Sequence, residues 1–222
     1  RTVVVVNAGS PIAMPWADRV PAIVWLWVPG QEGGHALADV VSGDVDASGR
    51  LPVTIPVRLE DTPAFLHHPG ERGQERYGEG VFVGYRWYDT RAIEPRFPFG
   101  HGLSYTRFAY GDATAAVVDA AARRVVVRVA VTNVGDRAGA EVVQCYVADV
   151  EASVRRPAQE LRAFHKVWLE PGETEVVELA LDARAFAFWD VSTHDWTVEP
   201  GAFEGRLGSS SRDIRATTTL HL

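Results

Sequence analysis

The chain opens with two short, continuous runs of apolar residues. The first covers Thr2 to Asn7 and is rich in valine, and the second covers Ala22 to Val28. A fully apolar, β-branched run of this length is typical of a strand buried on both faces of a parallel sheet. The pattern therefore predicts two neighbouring strands, joined by a loop that contains Pro11 and Pro15.

A helix and an edge strand are predicted next. Several glycines follow the second run, and apolar residues then recur with the 3.6-residue period of an amphipathic helix, at Ala36, Leu37, Val40 and Val41. The helix is predicted to begin at the glycines and to end near Gly43. Leu51 to Ile55 is predicted to be a short strand, and Pro52 and Pro56 favour an edge position for it because proline donates no ladder hydrogen bond.

The stretch from Arg58 to Gly102 follows neither period but is dense in aromatic residues. They are Phe65, Tyr77, Phe82, Tyr85, Trp87, Tyr88, Phe97 and Phe99. A structureless loop of this length is uncommon inside a compact domain, and disordered linkers contain few aromatic residues. We therefore expect an ordered segment that meanders over the parts on either side and ties them together.

From about Leu103 onward the apolar residues alternate with polar ones. This period of two predicts strands at Arg124–Thr132, Glu141–Val147 and Thr174–Leu181. About seven short strands separated by turn signals favour an antiparallel sandwich of the immunoglobulin or fibronectin type III style. The missing Cys-Trp-Cys signature makes the fibronectin-like form the better description. Cys145 alternates in phase with Val143 and Val147, which predicts a buried core position.

These patterns give the fold class as α/β followed by all-β. They divide the chain into an α/β part at residues 1–57, an inter-domain segment at 58–110 and a β-sandwich at 111–222. The chain starts at Arg1, directly before an apolar strand. Because a natural terminus rarely lies in a buried strand, this start indicates a piece of a longer protein.

Composition excludes several classes of protein. The net charge is -7, with 22 Lys and Arg against 29 Asp and Glu, so there is no basic balance for binding nucleic acid. No apolar run reaches the length that crosses a bilayer, so no membrane partner is expected. The single cysteine rules out an intrachain disulfide and a cysteine-based zinc site within this sequence.

Four residues are candidates for contact with a substrate or for support of a group that contacts it. Gln31 and Glu32 follow a predicted parallel strand and precede a helix, where ligands of open α/β sheets gather. A first-turn acidic residue also stabilises a helix without any catalytic role, and that interpretation is the more frequent one. Tyr77 and Glu79 lie in the aromatic segment near several arginines, where a structural ion pair is the favoured interpretation of Glu79.

Other chemistries find no support in the sequence. The histidines show no recognised metal-ligand spacing, so no metal site is expected. The glycines near Gly30 fit neither phosphate-binding fingerprint, and no cofactor is expected. Ser10 and Ser104 lie in the strings AGSPI and GLSYT, not in the G-x-S-x-G elbow of serine hydrolases. The aromatic residues from Phe82 to Phe99 could stack on sugar rings or pack between domains, and domain packing is the more frequent use of such residues.

Six motifs resemble the C-terminal part of glycoside hydrolase family 3. NAGSPIAMPW from Asn7 and WVPGQEGGHALADVVSGDVDASGRLPVTIP from Trp27 resemble its second domain. RYGEGVFVGYRWYD from Arg76 and FPFGHGLSYTRFAY from Phe97 resemble its YxEGIxVGYRYYD and FPFGYGLSYTxFxY segments, with His101 in place of the usual tyrosine. VTNVGDRAGAEVVQCYVAD and ELRAFHKVWLEPGE resemble the fibronectin-like domain that follows. The resemblance is colinear over essentially the whole chain.

The resemblance implies a retaining exo-β-glucosidase that hydrolyses β-glucosides or oligosaccharides. In that family a first domain supplies the nucleophilic Asp, and the second domain supplies the acid/base Glu in a loop before the strand that opens this chain. Both catalytic carboxylates are therefore expected upstream of Arg1, and residues 1–57 would be the C-terminal half of the family's α/β sandwich domain. The missing N-terminal catalytic domain is then the main partner of this chain.

Two hypotheses from other classes stay open. One is a non-catalytic carbohydrate- or partner-binding module, and the other is a structural pair of domains that makes homo-oligomer contacts. What precedes Arg1 distinguishes the first from an enzyme, and the mass in solution tests the second.

Overall fold

The computed structural model describes residues 2–222 and confirms an α/β part followed by an antiparallel β-sandwich. The two apolar runs form parallel strands, β1 (Val3–Val6) and β2 (Ala22–Trp25), paired from Val3–Ala22 to Val6–Trp25. The second strand is shorter than its apolar run. The backbone turns into the left-handed region at Trp27, and Val28 is exposed.

Helix α1 (Gly33–Ser42) follows β2 and matches its prediction closely. It ends at Gly43, which has a φ of 85° and closes the helix in the left-handed conformation that glycine adopts without strain. The start is set by a close approach, because a Cβ on Gly33 would lie 2.5 Å from the Pro29 side chain. Glycine at this position therefore lets the helix begin directly against the loop that follows β2.

The predicted edge strand at Leu51–Ile55 is wrong as a regular strand. The backbone pairs with the Phe97–His101 stretch at both ends, through the Ile55–Phe97 bridge and the Leu51–His101 hydrogen bond of 2.9 Å. Pro52 on one side and Pro98 on the other lack an N–H group, so the ladder between these ends is not completed. Ile55 is nevertheless fully buried, in a small core with Val6, Met14 and Ala17.

The aromatic segment contacts the parts of the chain on both sides, and it contains a helix that the sequence pattern did not reveal. Helix α2 (Tyr85–Arg91) has seven residues and closes at Ala92, whose φ is 51°. On the α/β side, Arg96 donates to both carboxylate oxygens of Asp18 at 2.7 and 2.9 Å. On the sandwich side, the Tyr85 hydroxyl accepts from the Leu161 N–H at 2.8 Å. The segment thus packs against both parts of the chain.

The sandwich consists of two four-stranded antiparallel sheets. In the first, β5 is central; β3 and β4 follow one another along one of its edges and β8 pairs with the other. The second has the order β12-β11-β6-β7, and a separate hairpin joins β9 to β10. The strands are β3 (Phe108–Tyr110), β4 (Thr114–Asp119), β5 (Arg124–Asn133), β6 (Gly139–Asp149), β7 (Glu160–Leu169), β8 (Thr174–Leu181), β9 (Phe188–Asp190), β10 (Asp195–Thr197), β11 (Ala202–Ser210) and β12 (Asp213–His221).

The alternation predicted for β5, β6 and β8 is confirmed on the core side. One main cluster of buried residues lies between the two sheets, and the residues predicted to face inward belong to it: Val125, Val127, Val129, Val131, Val143, Cys145, Val147, Val177, Leu179 and Leu181. No helix in residues 2–222 is long and apolar enough to span a bilayer.

Cys145 is expected to be inert in the folded chain. Its side chain is 0% exposed, and burial raises the pKa of the thiol to about 12. Burial keeps a reagent away from the sulfur, and the raised pKa suppresses the thiolate, which is the reactive species. A thiol reagent such as DTNB should therefore label the native chain far more slowly than the chain unfolded in guanidinium chloride. Equal labelling rates in the two states would contradict the packing described for β6.

Candidate functional site

Gln31 and Glu32 lie where the sequence placed them, between β2 and α1, and both are exposed. Glu32 is the N-cap residue of α1, but within the described part of the chain its side chain makes no capping hydrogen bond. Its carboxylate instead lies 3.1 Å from the Nδ1 of His35, and both side chains are largely in solvent. An exposed pair of this kind contributes little to stability. Glu32 is thus free to meet a group that approaches the end of β2.

Tyr77 and Glu79 lie in the turn that precedes α2. Tyr77 is 77% exposed, which is unusual for a large aromatic residue in an ordered segment. Glu79 is half-buried, and its Oε2 has no hydrogen-bond partner among the described residues. The predicted ion pair of Glu79 with a nearby arginine is wrong, because Arg86 points to Glu160 of β7, with 3.5 Å between Nη2 and Oε1.

The structure does not join the two pairs of candidates into one site. Within residues 2–222, no hydrogen bond or salt bridge links Gln31 or Glu32 to Tyr77 or Glu79. A cleft of about 570 Å³ opens in the sandwich between β5, β7 and β8, and none of the four candidates lines it. In the part of the chain that the structure describes, no cluster of three His, Cys, Asp or Glu side chains has the geometry of a metal site.

The most developed polar arrangement is a junction between the α/β part and the sandwich, centred on Asp46. One carboxylate oxygen accepts from the Ser104 hydroxyl and from the Tyr105 N–H, both at 2.8 Å. The other accepts from the N–H of Ala140, at the start of β6, at 3.1 Å. A buried carboxylate is stable only when such donors replace water. Asp46 therefore joins its own stretch of chain to two others.

An ion pair lies in the same junction. Arg50 and Glu141 are 3.2 Å apart, and their side chains are only 8% and 3% exposed. Among residues 2–222 the Nε of Arg50 has no hydrogen-bond partner, so the pair is not fully compensated for the loss of water. Its attraction is strong because little solvent screens it, and it fixes how the Gly49–Arg50 loop meets β6.

A second polar cluster attaches α2 to the sandwich. Arg212, in the turn between β11 and β12, donates to the Asp89 carboxylate at 2.5 Å and to the carbonyl oxygens of Tyr88 and Ile93, each at 3.0 Å. Gln159 donates to the other Asp89 oxygen at 3.1 Å. Burial raises the pKa of the Asp89 carboxyl, against the opposing effect of the hydrogen bond from Arg212. Asp89 is thus held by charge and amide donors on the sandwich side.

Sequence reasoning missed this junction because its residues are distant in the chain. Asp46 and Ala140 are 94 positions apart, and Asp89 and Arg212 are 123 apart. The usable signal was the single acidic residue at the end of an aromatic run, in Tyr85-Arg86-Trp87-Tyr88-Asp89. An acid so placed needs a cationic partner if the aromatic residues around it are buried.

Comparison with known families gives two matches along the chain. Residues 1–105 match the model of the glycosyl hydrolase family 3 C-terminal domain. Residues 141–211 match the model of a fibronectin type III-like domain. The first match contains all four candidate residues, and the second covers most of β6 and all of β7 to β11.

Individual proteins are similar over nearly the whole chain. The thermostable beta-glucosidase B of Acetivibrio thermocellus is 51% identical over 96% of this chain, which spans 28% of that protein. An exo-alpha-(1->6)-L-arabinopyranosidase of Bifidobacterium breve is 47% identical over 100% of this chain, which spans 29% of that protein. The crystal structure of a beta-glucosidase from Bifidobacterium adolescentis superimposes with a TM-score of 0.94, at 46% identity over 99% of this chain and 32% of that one. The chain therefore spans about 28% of the length of these first curated relatives.

Arg212 is expected to be needed for the attachment of α2. Arg212→Ala leaves the Asp89 carboxylate, which is only 7% exposed, without its cation. Loss of one partner from a partly buried pair should lower the free energy of unfolding by about 2 kcal/mol, less than for a fully buried pair because Arg212 itself is partly in solvent. Urea titration followed by circular dichroism measures the change, and limited proteolysis should show faster cleavage between Tyr77 and Phe99.

Arg128→Ala is the matched control, because it removes an exposed arginine that pairs with Glu178 across β5 and β8. It should leave the urea midpoint and the cleavage pattern nearly unchanged. Equal effects of the two substitutions would mean that the Asp89–Arg212 pair has no special part in holding α2.

Proposed function

Because the chain belongs to glycoside hydrolase family 3, as its C-terminal domain followed by a fibronectin type III-like domain, we propose that it is the C-terminal part of a retaining exo-β-glucosidase. The observation that supports this most directly is that nearly the whole chain matches about a quarter to a third of the length of several beta-glucosidases. The substrate class is a β-glucoside or oligosaccharide, and the reaction is hydrolysis of the bond to its terminal sugar.

The proposed reaction places both catalytic carboxylates outside this chain. A retaining glycosidase uses a nucleophile and an acid/base, with carboxyl groups about 5–5.5 Å apart. In the proposed full-length protein these are an Asp of a preceding domain and a Glu in the loop before β1. Glu32 and Glu79 then contact substrate or steady a group that does, and neither carries the bond cleavage.

The proposed task of residues 1–57 is to complete and support the fold that carries the acid/base loop. A parallel sheet is normally covered on both faces, yet Val3 and Val5 of β1 are 45% and 38% exposed. Val41 on α1 is also exposed, at 52%. These apolar positions suit contact with the remaining strands and helices of the α/β domain. The partner of this surface is therefore the preceding polypeptide of the same protein.

The isolated chain of 222 residues is expected to have no glycosidase activity. A mechanism that needs two carboxylates held at a fixed separation cannot run when neither is present. The purified chain should release no nitrophenol from p-nitrophenyl β-glucoside above a buffer blank. Turnover that survives repeated purification and scales with chain concentration would overturn the assignment of the carboxylates.

The proposed activity is tested on the full-length protein with a panel of p-nitrophenyl glycosides. Hydrolysis of the β-glucoside with a β-configured product at early times, followed by NMR, is the expected result. The panel includes the α-L-arabinopyranoside, because one relative with 47% identity is named for that sugar. Formation of the α-configured product would contradict a retaining mechanism.

Glu32→Gln and Glu79→Gln in the full-length protein separate substrate contact from catalysis. Removal of an acid/base group lowers kcat by factors of about 10² to 10⁴. Because neither residue is proposed to be that group, kcat should change by less than about threefold in both variants. A rise in KM for either one would assign it to substrate contact. Glu60→Gln is the control, since Glu60 is an exposed carboxylate of the same segment. A hundredfold loss of kcat in Glu32→Gln or Glu79→Gln would contradict the proposal.

A further inference from the structure

The hairpin of β9 and β10 carries two half-exposed tryptophans. Trp189 and Trp196 lie directly opposite each other in the antiparallel pairing and are 48% and 41% exposed. Their ring centroids are 5.4 Å apart and the ring planes meet at 63°. Neither ring belongs to the buried cores of the molecule. A pair of large apolar rings on one face of a hairpin leaves much surface in water that burial would stabilise.

The two rings form an open corner rather than a flat surface. The Arg184 guanidinium lies over the ring of Trp196, so that one face of this ring is already occupied. Arg184 belongs to a short 3-10 helix, Ala183–Ala185, whose first turn is capped by the Asp182 side chain. The corner is therefore bounded by the half-exposed ring of Trp189, the ring of Trp196 and the guanidinium N–H donors of Arg184.

Buried contacts of Arg156 anchor the base of the hairpin to the sandwich. Arg156 is 9% exposed and is held by the carboxylates of Asp149 and Glu160 at 2.9 and 3.3 Å. It donates to the carbonyl oxygen of Phe186 at 3.0 Å and lies over the ring of Phe188 in β9. Because these contacts fix the start of β9, little conformational entropy is lost when a ligand meets the tryptophans.

The border of the corner supplies groups that can hydrogen-bond to a sugar. The turn between the strands, residues 191–194, carries the polar side chains of Ser192, Thr193 and His194 beside the exposed Val191. Asp190 and Asp195 belong to the strands and face the other side of the hairpin from the tryptophans. Asp190 accepts from both the N–H and the hydroxyl of Ser192, at 2.8 and 2.6 Å, so the turn is ordered. A pyranose has an apolar face of C–H groups and a rim of hydroxyls. Aromatic rings bordered by polar donors and acceptors match both features, as in other small-molecule sites.

The hairpin is connected to the segment that carries Tyr77 and Glu79. Arg155 lies over the ring of Phe82, and the next residue, Arg156, lies over Phe188. The Phe82 N–H donates to the Glu79 carbonyl oxygen at 3.1 Å, so this ring is fixed to the turn after Tyr77. One loop thus links the tryptophan corner to the candidate substrate residues.

We propose that the corner formed by Trp189 and Trp196 is a binding subsite for pyranose units of a β-linked gluco-oligosaccharide. The identity of the sugar rests on the proposed function, whereas the site itself rests on the geometry of the hairpin. One pyranose face packs on the open ring of Trp189, the ring of Trp196 flanks it, and Arg184 donates to a hydroxyl. The subsite holds substrate without taking part in bond cleavage.

Binding is measured on the 222-residue chain with cellotetraose, by isothermal titration calorimetry and by the indole N–H signals in NMR spectra. The wild-type chain should bind with a Kd of about 1 mM, as expected for a small exposed site. Trp189→Ala should weaken binding about fivefold or more, since one aromatic contact is lost. Trp189→Phe keeps a ring and should stay within about threefold of the wild type.

Trp168→Ala is the matched control, because Trp168 is 56% exposed on β7 and lies outside the hairpin. It should bind cellotetraose like the wild type, and circular dichroism should show the same fold for all variants. The proposal is overturned if the wild-type chain shows no saturable binding, or if Trp189→Ala and Trp168→Ala behave alike. It is also overturned if Trp189→Ala changes only the self-association of the chain in sedimentation velocity.

Hydrolysis by the full-length protein is a separate measurement. A protein that cleaves no β-glucoside while its C-terminal chain binds cellotetraose through Trp189 would refute the proposed function alone. A protein that cleaves β-glucosides while the chain ignores cellotetraose would refute the subsite alone.

Discussion

The structure depends on strand β6 being buried on both of its faces. Val143 and Cys145 point into the sandwich core, and the alternating residues Gln144 and Tyr146 point outward. In a two-sheet sandwich the outward residues normally meet water, but here both are at most 3% exposed. The Gln144 amide donates to the Gly100 carbonyl, and the ring of Tyr85 packs edge-on against Tyr146. The aromatic segment therefore forms a third layer over this strand.

This third layer explains why a glycine stands at the end of the aromatic segment. A Cβ on Gly100 would lie 2.1 Å from the Gln144 side chain, and the φ of 82° also favours glycine. The neighbouring Phe99 stacks on Tyr85 with 4.6 Å between ring centroids, and its carbonyl accepts from the Ser211 N–H at 2.9 Å. Close backbone approach and aromatic packing thus act together, and the α/β part reaches the sandwich through one dense junction.

The sequence predicted what depends on local periodicity and failed where partners are distant. The period of two located β5, β6 and β8 and the buried position of Cys145, and the glycine and apolar spacing located α1. Helix α2 was missed because its seven residues give less than two full periods, and its stability comes from contacts with the sandwich. The strand prediction at Leu51–Ile55 was wrong for the opposite reason. Local composition favoured a strand, but the stretch that faces it, Phe97–His101, contains Pro98, which has no N–H group for the ladder.

The candidate residues show the same limit at the level of function. Gln31 and Glu32 were chosen because the end of a parallel strand is a known ligand position, and the structure leaves them in solvent. Tyr77 is likewise largely in solvent, and no hydrogen bond from residues 2–222 reaches Oε2 of Glu79. By contrast, the polar groups of the junction, such as Asp46, have their donors within the chain. Residues that are fixed by the fold but not satisfied by it are the ones available to a substrate or to another part of the protein.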